Sequence, residues 1–206
     1  MYYFANDIAR ILTGTRHGNG NPEAIIKHLL IDSRSISSPE TSLFFALKSE
    51  RNDGHKFIGD AYKKRVRNFV VSELPSPRGE ATVGWERSSG GEAYIDANFI
   101  LVKDTLSALQ HLAANHRRKF NIPTLGITGS NGKTIVKEWL YQLLQDDKNV
   151  VRSPKSYNSQ VGVPLSVWQL SEEHNMAIFE AGISRPDEME RLEPIISPTL
   201  GLITNI

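Results

Sequence analysis

The sequence predicts an α/β fold in two domains, and three observations lead to this prediction. The chain has 206 residues, whereas a single domain usually has about 100 to 150. Strand-like and helix-like segments alternate through the second half, which is typical of a parallel sheet covered by helices on both faces. A glycine-rich turn joins one of these strands to the next helix. We therefore expect a small α/β domain over residues 1–104 and a parallel-sheet domain over residues 105–206.

In the first domain, apolar side chains at helical spacing predict an N-terminal helix that ends at Gly14. Asp53 is placed to cap a second helix, which carries Phe57, Ile58, Ala61 and Tyr62. Short apolar runs predict strands at residues 28–31, 42–47, 68–72 and 98–103. Residues 75–97 are rich in Gly, Ser and Pro, and we expect a long loop there.

In the second domain, strands are predicted at residues 124–128, 150–151, 176–179 and 200–206. Helices are predicted between them, at residues 105–120, 133–144, 164–170 and 186–192. In the helix over 133–144, the side chains expected to face the sheet are Val136, Trp139, Leu140 and Leu143. Because the sequence ends on a strand, we expect it to be the front part of a larger α/β protein.

Composition and charge exclude several classes of protein. Hydrophobic residues make up 39% of the chain, and 24 basic residues face 23 acidic ones. This balance gives no electrostatic reason to expect a nucleic acid as a partner. Apolar runs are far shorter than the ~20 residues of a membrane helix, so no membrane insertion is expected. The absence of cysteine excludes disulfides and thiolate catalysis, and with no visible signal peptide it favours the cytoplasm.

The strongest motif is the turn GITGSNGKT at residues 126–134, between a predicted strand and a predicted helix. Its small residues, whose backbone N–H groups can wrap around phosphates, are Gly129, Ser130, Asn131 and Gly132. Lys133 can reach the β- and γ-phosphates, and the Thr134 hydroxyl is placed to bind Mg²⁺. The strict phosphate-loop pattern requires Gly where Ile127 stands. The alternative interpretation is a glycine-rich turn with a surface lysine.

Two further polar residues are candidates for the same site. Glu180 ends the strand predicted at 176–179, at the sheet edge where open α/β sheets bind ligands. It is either a Mg²⁺ ligand or an exposed carboxylate at a strand end. Asn158 lies in a polar loop after the strand at 150–151, and it either reaches the same edge or is a turn asparagine.

Together these motifs resemble the Mur ligases, ATP-dependent amide-forming enzymes of peptidoglycan precursor synthesis. Their phosphate loop has the form TG[ST]xGK[ST], which residues 128–134 satisfy, so Ile127 is no objection. Further segments resemble the family's central domain at 137–138 (KE), 158–164 (NSQVGVP) and 180–182 (EAG), and its UDP-substrate domain at 32–34 (DSR), 43–51 (LFFALKSER) and 53–57 (DGHKF). The resemblance covers nearly the whole chain except residues 75–97.

The resemblance implies a function and a role for each candidate residue. Residues 129–134 would bind ATP, with Lys133 as the catalytic phosphate contact, and Thr134 and Glu180 would hold Mg²⁺. Asn158 would face the substrate near the γ-phosphate. The residues implied for the UDP-muramoyl peptide pocket are Ser33, Arg34, Leu47 and Arg51. The NSQVGVP segment favours the ligation of D-alanyl-D-alanine to UDP-N-acetylmuramoyl-tripeptide through an acyl phosphate.

Other interpretations stay open at this point. One is a family member that adds diaminopimelate or lysine, and another is a non-catalytic phosphate-loop nucleotide-binding module. The sequence of residues 155–170 also resembles a form of the ligase fused to an alanine racemase. The family's metal-binding histidine, its modified lysine and its C-terminal domain are expected beyond Ile206. We therefore expect little or no ligation by this chain alone.

Overall fold

The computed structural model describes residues 1–34, 36–50, 52–74, 94–183 and 186–205. The chain divides into two compact units, Met1–Ala108 and Leu109–Ile206. The predicted α/β class is confirmed, since both units combine helices with largely parallel sheets. No helix within the described ranges is both long and apolar enough to cross a membrane.

The first unit has a five-stranded sheet and a separate strand pair. Its elements are β1 (Tyr3–Phe4), α1 (Ala5–Ile11), β2 (Thr15–His17), β3 (Ile25–Ile26), β4 (His28–Leu30), β5 (Ser42–Phe45), α2 (Ile58–Lys63), β6 (Asn68–Val71) and β7 (Asn98–Leu101). The strand order is β2-β7-β6-β5-β4, and only β2 is antiparallel to its neighbour. Strands β1, β2 and β3 were missed by the sequence analysis, because two or three residues are too few to show a strand period.

The core of the first unit explains why its strands are continuous apolar runs. Every residue of β5 and β6 is buried, as expected for parallel strands that are covered on both faces. The rings of Phe69 and Phe99 stack with their centroids 5.3 Å apart. Asp53 does act as a cap, because its carboxylate accepts the backbone N–H of His55 at 3.0 Å. The element that it caps is a 3-10 helix, Gly54–Phe57, which leads into α2, so the single predicted helix is divided in two. Within the predicted loop, residues 75–93 lie outside the described residues.

The second unit is built on a sheet of four parallel strands. Its elements are α3 (Thr105–Arg117, which begins at the end of the first unit), β8 (Thr124–Thr128), α4 (Lys133–Leu144), β9 (Val150–Arg152), α5 (Gly162–Val167), β10 (Met176–Glu180), α6 (Glu188–Ile196) and β11 (Leu200–Ile203). The strand order is β11-β8-β10-β9. Helix α6 runs past the predicted end at residue 192 and through Pro194, because Ile195 and Ile196 are buried in the core.

Helices cover both faces of this sheet, and alternate side chains of β10 pack into the two cores on its opposite faces. Ala177 and Phe179 pack into the core beneath α3, α5 and α6, whereas Ile178 packs into the core on the α4 side. The prediction that Trp139 and Leu143 face the sheet is wrong, since they are 64% and 75% exposed.

The rotation of α4 explains this error. The helix carries two neighbouring apolar stripes, and apolar spacing alone does not decide between them. The inner stripe is Val136, Leu140 and Leu144; the exposed one is Ile135, Trp139 and Leu143. Lys137, which is fully buried beside Glu180 of β10, lies on the same side of the helix as the inner stripe.

The last turn of α3 is fixed by two buried polar side chains. The guanidinium of Arg117 donates to the carbonyl oxygens of Ile196 and Phe120, at 2.8 and 2.6 Å. It also donates to Thr124 Oγ1 at 2.6 Å and to the Ser197 carbonyl at 3.1 Å. Arg117 thereby joins the end of α3 to the start of β8 and to the last carbonyls of α6. The second side chain is His116, whose Nε2 lies 3.0 Å from the carbonyl oxygen of Leu170.

Candidate nucleotide-binding site

The candidate site lies at the carboxyl edge of the sheet in the second unit. Because the four strands are parallel, the residues that follow them meet at one edge. The phosphate-loop residues follow β8, Ser153 follows β9, Glu180 ends β10 and Thr204 follows β11. Sequence reasoning assigned the loop and Glu180 to this edge, and both are found there.

The backbone of the phosphate loop requires glycine at two positions. Gly129 and Gly132 have φ angles of +126° and +84°, which residues with a Cβ rarely adopt. Helix α4 begins directly afterwards at Lys133, with Gly132 as its N-cap. Gly132 makes no side-chain cap hydrogen bond, so it does not occupy the first N–H groups of the helix. The helix adds about half a positive charge at this end, so the loop is suited to an anion.

Lys133 lies folded back across the loop. Its ammonium donates to the carbonyl oxygens of Gly129 and of Ser130, the latter at 3.2 Å. The lysine therefore sits over the loop where phosphates would bind, and a bound nucleotide would replace these two carbonyl contacts.

Thr134 and Glu180 are brought into direct contact. The Thr134 hydroxyl donates to Glu180 Oε2 at 3.0 Å. The Ser156 hydroxyl oxygen lies 3.3 Å from the Thr134 hydroxyl oxygen. The side chain of Glu180 is 0% exposed, so the alternative of an exposed carboxylate at a strand end is wrong. Hydroxyl and carboxylate oxygens are ligands that Mg²⁺ prefers, and the pair fits such an ion chemically.

Two residues after β11 brace the phosphate loop, and sequence reasoning missed both. Asn205 Oδ1 accepts from the Ser130 hydroxyl at 2.6 Å and from the backbone N–H of Asn131 at 2.9 Å. The Thr204 hydroxyl donates to the Thr128 carbonyl at 3.2 Å and also to that of Asn131. The apolar pattern extends the predicted last strand over both residues, so no local signal marks them.

Asn158 reaches the same sheet edge, beside the end of β10. Its carbonyl oxygen accepts the backbone N–H of Gly182 at 2.8 Å. A Cβ on Gly182 would lie 2.9 Å from Asn158 Cγ, so this close approach needs glycine. Asn158 is thus held beside Gly182, which lies two residues after Glu180. The close approach of Asn158 explains the glycine of the EAG segment.

In the first unit, the candidate substrate residues follow the carboxyl ends of neighbouring strands. Ser33 comes after β4 and is buried, and its carbonyl accepts from Lys64 at 2.6 Å. Leu47 comes after β5 and is half-buried. Arg34 is exposed and pairs with Asp32 at 2.6 Å; this hydrogen bond lowers the pKa of Asp32 to about 2. Arg51 lies outside the described residues.

Several known proteins are similar to this chain. It is 38% identical to a Synechocystis sp. UDP-N-acetylmuramoyl-tripeptide--D-alanyl-D-alanine ligase over 88% of this chain and 36% of that protein. A Bacillus subtilis ligase of the same name is 32% identical over 97% of this chain and 40% of its own length. The crystal structure of MurF from Acinetobacter baumannii superposes with a TM-score of 0.84 at 28% identity, covering 100% of this chain and 41% of that one.

The fold and the loop define a phosphate-loop α/β protein. Residues 127–206 match the family model of the Mur ligase middle domain. The resemblance to the Mur ligase family that the motifs predicted is confirmed by this match and by the curated relatives. It spans about two fifths of the length of the curated relatives it matches (36% and 40% for the two above). The alanine racemase fusion stays a prediction.

Proposed function

We propose that this chain forms the nucleotide-binding and UDP-substrate-binding part of an ATP-dependent ligase. The ligase would join D-alanyl-D-alanine to UDP-N-acetylmuramoyl-tripeptide. The observation that carries this proposal is the Thr134 hydroxyl bonded to the buried Glu180 carboxylate directly after the phosphate loop. Support comes from the relatives named for this ligation. A further similar structure, of MurF ligase from Thermotoga maritima, was solved in complex with ADP.

Mg²⁺ is the cofactor that this pair of ligands suggests. Among the described residues, no three His, Asp or Glu side chains cluster to hold a metal by themselves. Mg²⁺ is commonly bound by one or two protein oxygens together with nucleotide phosphates and water. Thr134 and Glu180 would supply the protein oxygens. When bound, the ion would offset negative charge on the phosphoryl group during its transfer.

The chain's own residues would bind and orient the triphosphate. The backbone N–H groups of residues 129–134 would surround the phosphates, with those of Ser130 and Asn131 exchanging their present bonds to Asn205 for phosphate oxygens. Lys133 would turn from its carbonyl contacts to the β- and γ-phosphates. In the reaction, a carboxylate oxygen of the tripeptide attacks the γ-phosphorus, which gives an acyl phosphate and releases ADP. The amine of D-alanyl-D-alanine then attacks the acyl carbon, loses a proton and expels phosphate, which leaves the new amide. Lys133 and the start of α4 would stabilise the charge on the transferred group.

The substrate would be bound by the remaining candidates. Ser33 and Leu47 follow adjacent parallel strands, which supports a common pocket for the UDP-muramoyl peptide, and Arg34 and Arg51 are proposed to belong to it. Asn158 is proposed to face the substrate near the γ-phosphate. Its contact with Gly182, two residues after Glu180, supports this role.

The nucleotide site is tested by calorimetric titration of Mg·ATP into the chain and into Lys133→Ala. A charge-assisted hydrogen bond contributes about 1.5–3 kcal/mol, so we expect affinity to fall roughly 10- to 100-fold. Lys148→Ala, which removes an exposed lysine from the same unit, is the matched control and should bind like the unsubstituted chain. Equal affinity of all three proteins would favour the non-catalytic module.

The ligation step is tested by titrating UDP-N-acetylmuramoyl-tripeptide and, separately, the corresponding dipeptide. Tighter binding of the tripeptide is expected for the step that adds D-alanyl-D-alanine. Tighter binding of the dipeptide would instead favour the member that adds diaminopimelate or lysine, since the dipeptide is the substrate of that step.

A further inference from the structure

Lys137 is a buried charge that the proposed mechanism does not use. It lies on α4, one turn after Thr134, and its side chain is 0% exposed. A lysine is almost never fully buried without a partner, because removing an ammonium from water costs several kcal/mol. The partners of the ammonium therefore indicate which part of the structure the buried lysine stabilises.

The partners of Lys137 are four oxygens from three segments. Its ammonium donates to the carbonyl oxygen of Ser153 at 2.8 Å and to that of Lys155. It also forms ion pairs with Glu180 Oε1 at 2.9 Å and with Glu138 Oε1 at 3.1 Å. The contact with Glu180 is an ion pair without the alignment of a hydrogen bond. These partners compensate for the burial of the ammonium.

Three of these four oxygens belong to the candidate metal site or to the loop beside it. Glu180 divides its carboxylate, with Oε1 on Lys137 and Oε2 on the Thr134 hydroxyl. The backbone N–H of Glu180 donates to Ser153 Oγ at 3.1 Å. Residues 153–155 lead directly to Ser156, whose hydroxyl oxygen lies 3.3 Å from that of Thr134. One ammonium thus contacts both segments that approach Thr134.

We propose that Lys137 is a positioning residue for the Mg²⁺ site. It holds Glu180 Oε1, so that Oε2 stays directed at Thr134, and it ties the segment 153–156 into place beside them. The inference rests on the proposed function, because it assigns Lys137 to the metal site of the same nucleotide pocket. It also explains why a cation is tolerated there: Lys137 occupies the carboxylate oxygen that does not face Thr134.

The test measures how much Mg²⁺ increases nucleotide affinity. ATP is titrated calorimetrically into the chain with excess Mg²⁺ and with a chelator, and the ratio of the two affinities is the Mg²⁺ gain. Loss of a partner that orients a metal ligand commonly costs about 10- to 100-fold in metal affinity. In Lys137→Met we expect the Mg²⁺ gain to fall at least about tenfold. Affinity without Mg²⁺ should stay within about twofold, because Lys133 and the loop backbone are unchanged.

Three further variants separate positioning from general destabilisation. Lys137→Gln keeps N–H donors for the two carbonyls but loses the charge, and it replaces Lys137→Met if that variant does not fold. Lys137→Arg keeps the charge and is expected to restore part of the Mg²⁺ gain. Lys148→Met removes an exposed lysine and should change nothing. Mn²⁺ binding in the presence of ATP, followed by electron paramagnetic resonance, gives a readout independent of activity and should weaken in parallel.

Two results would overturn the inference, and they differ from failure of the proposed function. A folded Lys137→Met or Lys137→Gln with an unchanged or larger Mg²⁺ gain shows that the lysine does not position the site. An equal loss of affinity with and without Mg²⁺ shows a structural role only. If the unsubstituted chain itself shows no Mg²⁺ gain, the proposed function fails and this inference fails with it.

Discussion

Lowering the pH from 8 to 5 is expected to destabilise the second unit through His116. The His116 ring is buried, and Nε2 lies 3.0 Å from the Leu170 carbonyl oxygen, so this nitrogen carries the proton and donates it. The rings of Trp168 and Phe120 lie 4.7 and 5.0 Å from the imidazole, measured between centroids. This burial lowers the pKa of His116 to about 4, whereas an unfolded histidine has a pKa of about 6.5.

The sign and size of the effect follow from these two pKa values. Above pH 6.5 the ring is neutral in both states and folding is not opposed. Between pH 6.5 and 4 the unfolded chain binds a proton that the folded unit does not, so stability falls as the pH falls. At about 1.4 kcal/mol for each pKa unit, the full loss is about 3 kcal/mol, and about 2 kcal/mol is lost by pH 5.

The assay is urea unfolding at pH 8, 7, 6 and 5, followed by tryptophan fluorescence. The chain has 3 tryptophans, and Trp85→Phe leaves Trp139 and Trp168 to report on the second unit. His116→Gln keeps an N–H donor for Leu170 but does not titrate, and the same series is measured on it. The difference between the two pH profiles isolates the contribution of His116 from that of all other groups.

Between pH 8 and 5, the free energy of unfolding of His116→Gln is expected to fall by about 2 kcal/mol less than that of the unsubstituted chain. Parallel profiles for the two proteins would refute the reasoning, because they would mean that His116 binds its proton equally well in both states.

Two other substitutions test features of the second unit. Gly129→Ala should cost about 1–3 kcal/mol of stability and weaken nucleotide binding, because its φ is +126° and a Cβ would lie 2.8 Å from the Asn205 carbonyl oxygen. Gly201→Ala is the control, since a Cβ there meets nothing within 4 Å. Equal unfolding midpoints of the two variants would contradict the prediction for Gly129. Arg117→Met leaves four acceptors without their donor, three of them in buried hydrogen bonds, and should cost about 3–5 kcal/mol in urea unfolding. A loss below about 1 kcal/mol would show that water replaces the guanidinium.

The parts of the fold that the sequence predicted are those that local patterns determine. Strand β8 and helix α4 begin and end at the predicted residues, because an apolar run, two glycines and a continuous helix pattern lie within one short segment. The contact between Thr134 and Glu180 was also predictable in outline. Parallel strands bring their carboxyl ends to one edge, so a loop after one strand and a carboxylate at the end of its neighbour must approach each other.

The parts that the sequence did not predict depend on contacts between distant segments. The exposure of Trp139 follows from how α4 is rotated, and this rotation buries Lys137 beside Glu180 of another segment. A lysine in a helix gives no local indication of burial. The bracing of the loop by Thr204 and Asn205 depends on where β11 ends, and the apolar pattern alone extended that strand too far.

The position of β8 at the inside of its sheet also sets the order in which the site is completed during synthesis. β8 is the first strand of the sheet to be made, but its two neighbours are β10 and β11, the last two. Thr204, which braces the phosphate loop, follows Thr128 by 76 residues. At about 5–20 residues per second, the ribosome needs on the order of ten seconds to cover that distance. The nascent loop lacks both flanking strands until β10 has been made, and it still lacks β11 for the last part of the interval. The proposed nucleotide site is therefore complete only when β11 has emerged.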